Sequence, residues 1–314
     1  MMDWTDRHCR FFHRQMTRRT LLYTEMVTAP AVIHGLRPRL LDYSDAEHPV
    51  ALQLGGSDPR ELAQATAIAR DWNYDEINLN VGCPSDRVQS GCFGAVLMER
   101  PGLVADCVAA MIAESRVRVT VKCRIGVDDQ IPEQVLPDFI EKVSRAGVSH
   151  FIIHARKAWL KGLSPKENRE IPPLDYPLVL RMKREFPHLS ISINGGIATL
   201  EQARGLLEQG LDGVMVGRAA YHDPASVLIG ADALWGDSFA PDPVSVVQAM
   251  GPYIANHLAA GGRLHQITRH MLGLFAGRPG ARHWRRVLSE GASRDGAGLD
   301  LLDRALDQVR AAAA

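Results

Sequence analysis

Cysteine is scarce in this chain, with five among 314 residues, at positions 9, 83, 92, 107 and 123. None forms a C-x-x-C pair, and the C-x8-C spacing of Cys83 and Cys92 matches no common zinc pattern. A disulfide-stapled secreted scaffold is therefore excluded, and a reducing cytoplasm with no metal site is expected. Net charge is missing too, because 36 Lys plus Arg balance 36 Asp plus Glu. Any polyanionic partner must then be held by a local basic patch. No apolar run approaches membrane-spanning length, and MMDWTDRHCRFFHR does not read as a signal peptide. There is also no G-x-G-x-x-G unit between a strand and a helix, which argues against a Rossmann nicotinamide domain.

What the chain does have is rhythm. Short apolar runs at 20–29, 49–56, 76–83, 118–126, 150–156, 190–196 and 213–219 read as strands, and helical patterns lie between them. Alternating strands and helices imply a parallel sheet, and this many units imply a (β/α)8 TIM barrel. Only seven strands are visible, and the chain opens on a helical pattern, so the first strand of the barrel reads as truncated. We expect the natural start to lie upstream, with a short apolar strand ending at Met1. After Tyr221 the strand signal stops, and 243–312 carries four helical patterns broken at AAGG, AGRPGA and SRDGAG. The expected division is a barrel over 1–240 and a small all-α domain over 241–314.

Strand parity then singles out a polar set. Side chains alternate faces along a strand, so Gln53, Asn80, Lys122, His154 and Asn194 each fall near the C-terminal end of a different strand. Parallel barrel strands should be almost continuously apolar, and lysine is rarely buried without a partner. One such residue is as readily a satisfied core group; five at one level point to an active face. The last two strands end in Asn194-Gly195-Gly196 and Gly217-Arg218, the positions where barrels frequently hold phosphate. A phosphorylated cofactor beneath an amide- and lysine-lined ring suits flavin mononucleotide (FMN), with Lys122 stabilising charge on the reduced ring.

Several stretches, in order, carry a family resemblance: NLNVGCPSDRVQSGCFGAVLM, VKCRIGVDD, IHARKAWLKGLSPKENREIPPLDY, INGGI and LFAGRPGARHWRRVLSE. Over essentially the whole chain the sequence resembles the tRNA-dihydrouridine synthases, most closely their A-type branch. That resemblance implies a flavin-containing barrel with a helical RNA-binding domain, reducing uridines near position 20 of the tRNA D-loop with NADPH. Carried over by position, Gln53, Lys122, His154, Asn194, Gly195, Gly196, Gly217 and Arg218 match flavin contacts, and Met1 and Met2 stand for a corner that touches the flavin. Asn80 matches a substrate-side asparagine, and Cys83 matches the catalytic acid.

The implied chemistry suits a cysteine. Reducing the uracil 5,6 double bond takes a hydride at C6 and a proton at C5. An ordinary thiol of pKa about 8.5 is ~97% protonated at pH 7 and can deliver that proton without special tuning. Cys92 reads as incidental. For RNA, 156–169 holds five basic residues against Glu167, and Arg263 to Ser289 holds six arginines and no acid. Lys166 and Arg169 in the first stretch, and Arg282 and Arg286 on one helix face in the second, are the expected phosphate contacts. Two other readings are a small-molecule flavin reductase of the dihydroorotate or dihydropyrimidine type, and a catalytically silent tRNA-binding protein. The helical appendage speaks against the former; Cys83 and the polar ring speak against the latter. A monomer is expected.

Overall fold

The computed structural model describes residues 1–85 and 92–313, so the middle of the Cys83 motif, 86–91, lies outside the described residues. Seven strands form one parallel sheet in chain order: β1 (Leu22–Thr28), β2 (Val50–Gly55), β3 (Glu76–Val81), β4 (Arg118–Arg124), β5 (His150–His154), β6 (Ser190–Asn194) and β7 (Gly213–Met215). Among the described residues β1 and β7 are its two ends. The sheet curls with helices on its outer side, the arrangement of a (β/α)8-type barrel. All seven strands expected from the sequence are present. β7 is shorter than the 213–219 expected, because Gly217 leaves extended geometry (φ −110°, ψ −100°) and Arg218 begins a short helix, Arg218–His222.

Period-two alternation explains which side chains face the helices. Leu52, Leu54, Ile77, Leu79, Val121, Cys123, Phe151, Ile153, Ile191 and Ile193 are buried in one cluster with helix residues such as Leu62, Val108, Ile140, Val179 and Leu206. Each such aliphatic side chain contributes about 1.5–3 kcal/mol. Three of the intervening helices start where the sequence supplies a side-chain cap: Asp58 accepts from Arg60 and Glu61 before Pro59–Ala69, Asp175 from Leu178 before Tyr176–Glu185, and Thr199 from Gln202 before Leu200–Glu208. The opposite strand parity is polar. Glu76, Asn78, Asn80, Gln53, Thr120 and Ser192 are all buried, where branched apolar residues usually fill such a barrel.

Past residue 240 the described residues hold four helices, Pro243–Ala259, His265–Thr268, Ala281–Gly291 and Leu299–Ala313. They enclose a second core around the fully buried Trp284, whose indole N–H donates to the Met271 carbonyl at 2.9 Å and which Phe275 meets edge-on. Gly280 lets the last two approach: it sits at φ 78°, and a Cβ there would come within 2.7 Å of the Val309 Cα. Phe12 and Met16 belong to this second core. The N-terminal helix Arg7–Arg14 is thus shared: Phe11 stacks on Tyr253, and Asp6, its cap, pairs with Arg269 and His270.

Candidate active site

The strand register gathers most of the expected ring at the C-terminal ends. Asn80 lies opposite Lys122, Arg124 opposite His154, and His154 opposite Asn194. The five do not share the one level expected: His154 and Asn194 stand one level above Asn80 and Lys122, and Gln53, opposite Asn78, one level below them. Beyond β3 the chain turns at Gly82 and Cys83, and both backbone groups of Cys83 are held. Its N–H donates to Asn80 Oδ1 at 2.9 Å, and its carbonyl accepts from the Ala95 N–H at 2.9 Å. The thiol is partly buried, 3.5 Å from the Ser85 hydroxyl. Cys92, by contrast, is exposed on a turn.

Around this thiol the charges are mostly of one sign. Burial and then the neighbouring Arg124 push the Lys122 ammonium down to about 8. Among the described residues no carboxylate pairs with it, so the lysine is poised for an anionic partner. His154 is buried, and its affinity for a proton is held well below the ordinary value by burial and then by Arg124, Lys122, Arg156 and Arg169. It is therefore neutral, and its Nδ1 has no hydrogen-bond partner among the described residues. Arg124, which the sequence reading left out of the ring, shares the parity of Lys122 and is itself lowered to about 10 by burial. Its Nε donates to the Gly82 carbonyl and its Nη1 to those of Lys157 and Asn168. Parity was the signal that could have found it.

The two glycine turns sit beside the ring. Gly195 (φ 113°) and Gly196 (φ 73°) follow β6, and a Cβ on Gly195 would meet the His154 ring at 3.0 Å. Asn194 Nδ2 donates to the Met215 carbonyl at 2.8 Å, tying the two turns together. The Met1 sulfur is the nearest atom to a Cβ built on Gly217, whereas Met2 is exposed. Arg218 pairs with Glu170 at 2.6 Å and reaches the Arg169 carbonyl. A flavin needs a cation beside its ring, a free polar atom and close backbone approach. The unpaired Lys122, the orphan His154 Nδ1 and the Gly195–Gly196 turn fit those needs.

Gln53 and Asn80 are buried with both ends of their amides bonded inside the protein. Lys166 and Arg169 are exposed on the loop after β5. Sequence reasoning missed the hub of that loop, the fully buried Asn168, which grips the N–H and carbonyl of Trp159 and the Leu163 carbonyl. Arg282 and Arg286 stand exposed on the helix Ala281–Gly291, outside the ring.

Comparison with known proteins identifies the family. A family model described as dihydrouridine synthase (Dus) matches residues 1–311. The tRNA-dihydrouridine(20/20a) synthase of Escherichia coli (strain K12) is 60% identical over 311 residues, covering 98% of this chain and 90% of that protein. The protein of the same name from Vibrio vulnificus (strain CMCP6) is 55% identical over 314 residues, covering 98% of this chain and 95% of its own. A parallel curled sheet, a cysteine held at its C-terminal rim and similarity along the entire length lead to one assignment: this chain belongs to the dihydrouridine synthase family.

Proposed function

We propose that this chain reduces uridine to 5,6-dihydrouridine in the tRNA D-loop, at positions 20 and 20a, the numbers carried in its relatives' name. One observation carries the reading. Cys83 is clamped through both backbone groups at the rim of a cationic, carboxylate-poor ring. A fixed thiol there can act as an acid on a base placed over the ring, and the positive field suits a phosphorylated cofactor and an RNA substrate together.

In this reading FMN, when bound, supplies the hydride that goes to C6 of uracil, and NADPH is the reductant that renews it. The Cys83 thiol gives its proton to C5, and the thiolate left behind regains a proton from solvent. Lys122 compensates negative charge on the cofactor, and neutral His154 offers a hydrogen bond through its free Nδ1. The turns at Asn194–Gly196 and Gly217–Arg218, with Gln53, Met1 and Met2, complete the flavin cradle. Asn80 borders the uracil, while Lys166, Arg169, Arg282 and Arg286 meet phosphates. The working unit is a cytoplasmic monomer without metal, divided into a catalytic barrel over 1–240 and a tRNA-binding helical domain over 241–314.

The test is to incubate the purified protein with FMN, NADPH and unmodified tRNA, then map dihydrouridine. Dihydrouridine at 20 and 20a is expected. A protein that takes up no flavin, or leaves the tRNA unreduced, overturns the reading.

A further inference from the structure

Beneath the reacting level, Asn80 and Gln53 continue into a line of buried side chains, Asn78, Thr120 and Glu76, that the proposed chemistry does not use. Asn80 Oδ1 accepts from the N–H groups of Gly82 at 3.0 Å and Cys83 at 2.9 Å. Both donors are backbone amides, so that end of the carboxamide must be oxygen and its Nδ2 must face inward. There Nδ2 donates to Gln53 Oε1 at 2.8 Å. Gln53 Nε2 donates in turn to Asn78 Oδ1 at 2.9 Å, and Asn78 Nδ2 to the Thr120 hydroxyl at 2.8 Å. Having accepted, that hydroxyl donates to Glu76 Oε1 at 2.8 Å.

The far end imposes the same direction independently. Glu76 is buried, takes a second hydroxyl from Tyr23 and pairs with Arg118 at 3.2 Å. A carboxylate in that company only accepts. Polarity is therefore set from both ends, and no amide between them can turn over without bringing two donors or two acceptors face to face. The intervening Gln53 and Asn78 carry no titratable group, so the line has no means to relay protons. What it can transmit is orientation.

We propose that Glu76, acting through Thr120, Asn78 and Gln53, sets the orientation of the Asn80 carboxamide and so holds Cys83 in the geometry from which its thiol delivers the proton. Glu76, Asn78 and Thr120 are then positioning residues for that step. This rests on the reading of Cys83 as the acid.

Thr120→Val tests it, because the shape is kept while the hydroxyl linking Asn78 to Glu76 is lost; Thr120→Ser restores the link. With the FMN-loaded full chain, Thr120→Val should slow reoxidation of reduced flavin by tRNA about 10- to 100-fold, the cost of a misplacement on the order of 1 Å. The KM for tRNA and the rate of flavin reduction by NADPH should hold, and Thr120→Ser should recover most of the loss. A second readout needs no flavin. Iodoacetamide labelling of Cys83 relative to Cys92, read by mass spectrometry, should change in Thr120→Val and return in Thr120→Ser. If Thr120→Val does not fold, Asn78→Asp, which replaces the donor to Thr120 by an acceptor, should give the same selective loss. Equal slowing of both half-reactions with an unchanged labelling ratio would overturn the proposal and leave the line a purely structural one. If wild-type protein fails to reduce tRNA, the functional reading falls, and the labelling ratio alone decides whether the line orients Cys83.

Discussion

Arg124 donates from Nη1 to the backbone carbonyl of Asn168 at 3.0 Å, joining the end of β4 to a fully buried amide in the loop after β5. The same guanidinium bonds the Lys157 carbonyl at 3.2 Å and, through Nε, the Gly82 carbonyl at 3.1 Å. One side chain thus ties the residue before Cys83 to the segment that carries Lys166 and Arg169. Long loops stay ordered only where their backbone groups find partners, and here a buried arginine and a buried asparagine supply them.

Arg124→Lys should therefore damage more than charge. An ammonium is a compact point donor and cannot serve three carbonyls spread around a planar fork. Leaving one or two of them unsatisfied should cost about 2–3 kcal/mol, measured by denaturant unfolding. Hydrogen exchange should accelerate within 157–169 while the strands remain protected. Unaltered exchange in that loop would show that Arg124 does not order it.

Lys122 gives a pH signature. Its folded-state value lies near 8, below the unfolded 10.5, so between those values the unfolded chain binds more protons than the folded one. The ammonium's penalty is full below about pH 8 and is relieved as pH rises toward 10.5. Stability of the flavin-free protein should rise through that window, and Lys122→Met should remove this rise. At pH 7 the substitution should stabilise the flavin-free protein by up to about 3 kcal/mol, since one pKa unit is worth about 1.4 kcal/mol. It should also weaken FMN retention. A difference between wild type and variant that stays flat from pH 7 to 10.5 contradicts the assignment of an unpaired lysine.

The two cysteines of the motif should separate cleanly. Cys83→Ala should leave reduction of flavin by NADPH nearly intact and slow its reoxidation by tRNA by about 10²–10⁴-fold, the usual contribution of a general acid. Cys92 is exposed and should tolerate alanine with little loss. Stopped-flow absorbance of the flavin separates the two half-reactions, and equal behaviour of the two variants would remove Cys83 from its role.

Much of this architecture was legible because it rests on local pattern. The seven strands announced themselves by apolar runs between caps and glycines, and parity pointed to Lys122 and His154. Parity also puts Asn78 on the face of Asn80, and Thr120 and Arg124 on that of Lys122, but a ring drawn only at the rim leaves them out, and Glu76 with them. Expecting an apolar interior below the rim, one stops counting too soon. Asn168 could not have been read at all, since its partners are set by how the loop folds back on itself. In the arginine-rich stretch the pairing of charges is likewise visible only in space. Arg269 pairs with Asp6 and Arg263 approaches Asp295, so charges unpaired in sequence are paired in space.

That sorting sharpens the last prediction, which concerns the arginines left over. Arg278, Arg282, Arg285 and Arg286 are exposed, and among the described residues none has a carboxylate partner; Arg286 leans instead on His283 at 3.2 Å. Trp284 and Leu288 bury the inner face of the helix Ala281–Gly291, which leaves Arg282, Arg285 and Arg286 on its exposed side. Cations so placed meet phosphates through counterion release, and each contact removed should lower the slope of log affinity against log salt by about one. Arg282→Ala and Arg286→Ala should each raise the KM for tRNA and flatten that slope, with flavin reduction by NADPH unchanged. Arg269→Ala should instead lower the melting temperature, because it breaks a contact between the N-terminal helix cap and the C-terminal helical region. Binding measured by filter retention or anisotropy across 50–300 mM salt, beside thermal melts, tells the two classes apart. If the slope is the same in wild type, Arg282→Ala and Arg286→Ala, this helix face does not touch the tRNA backbone.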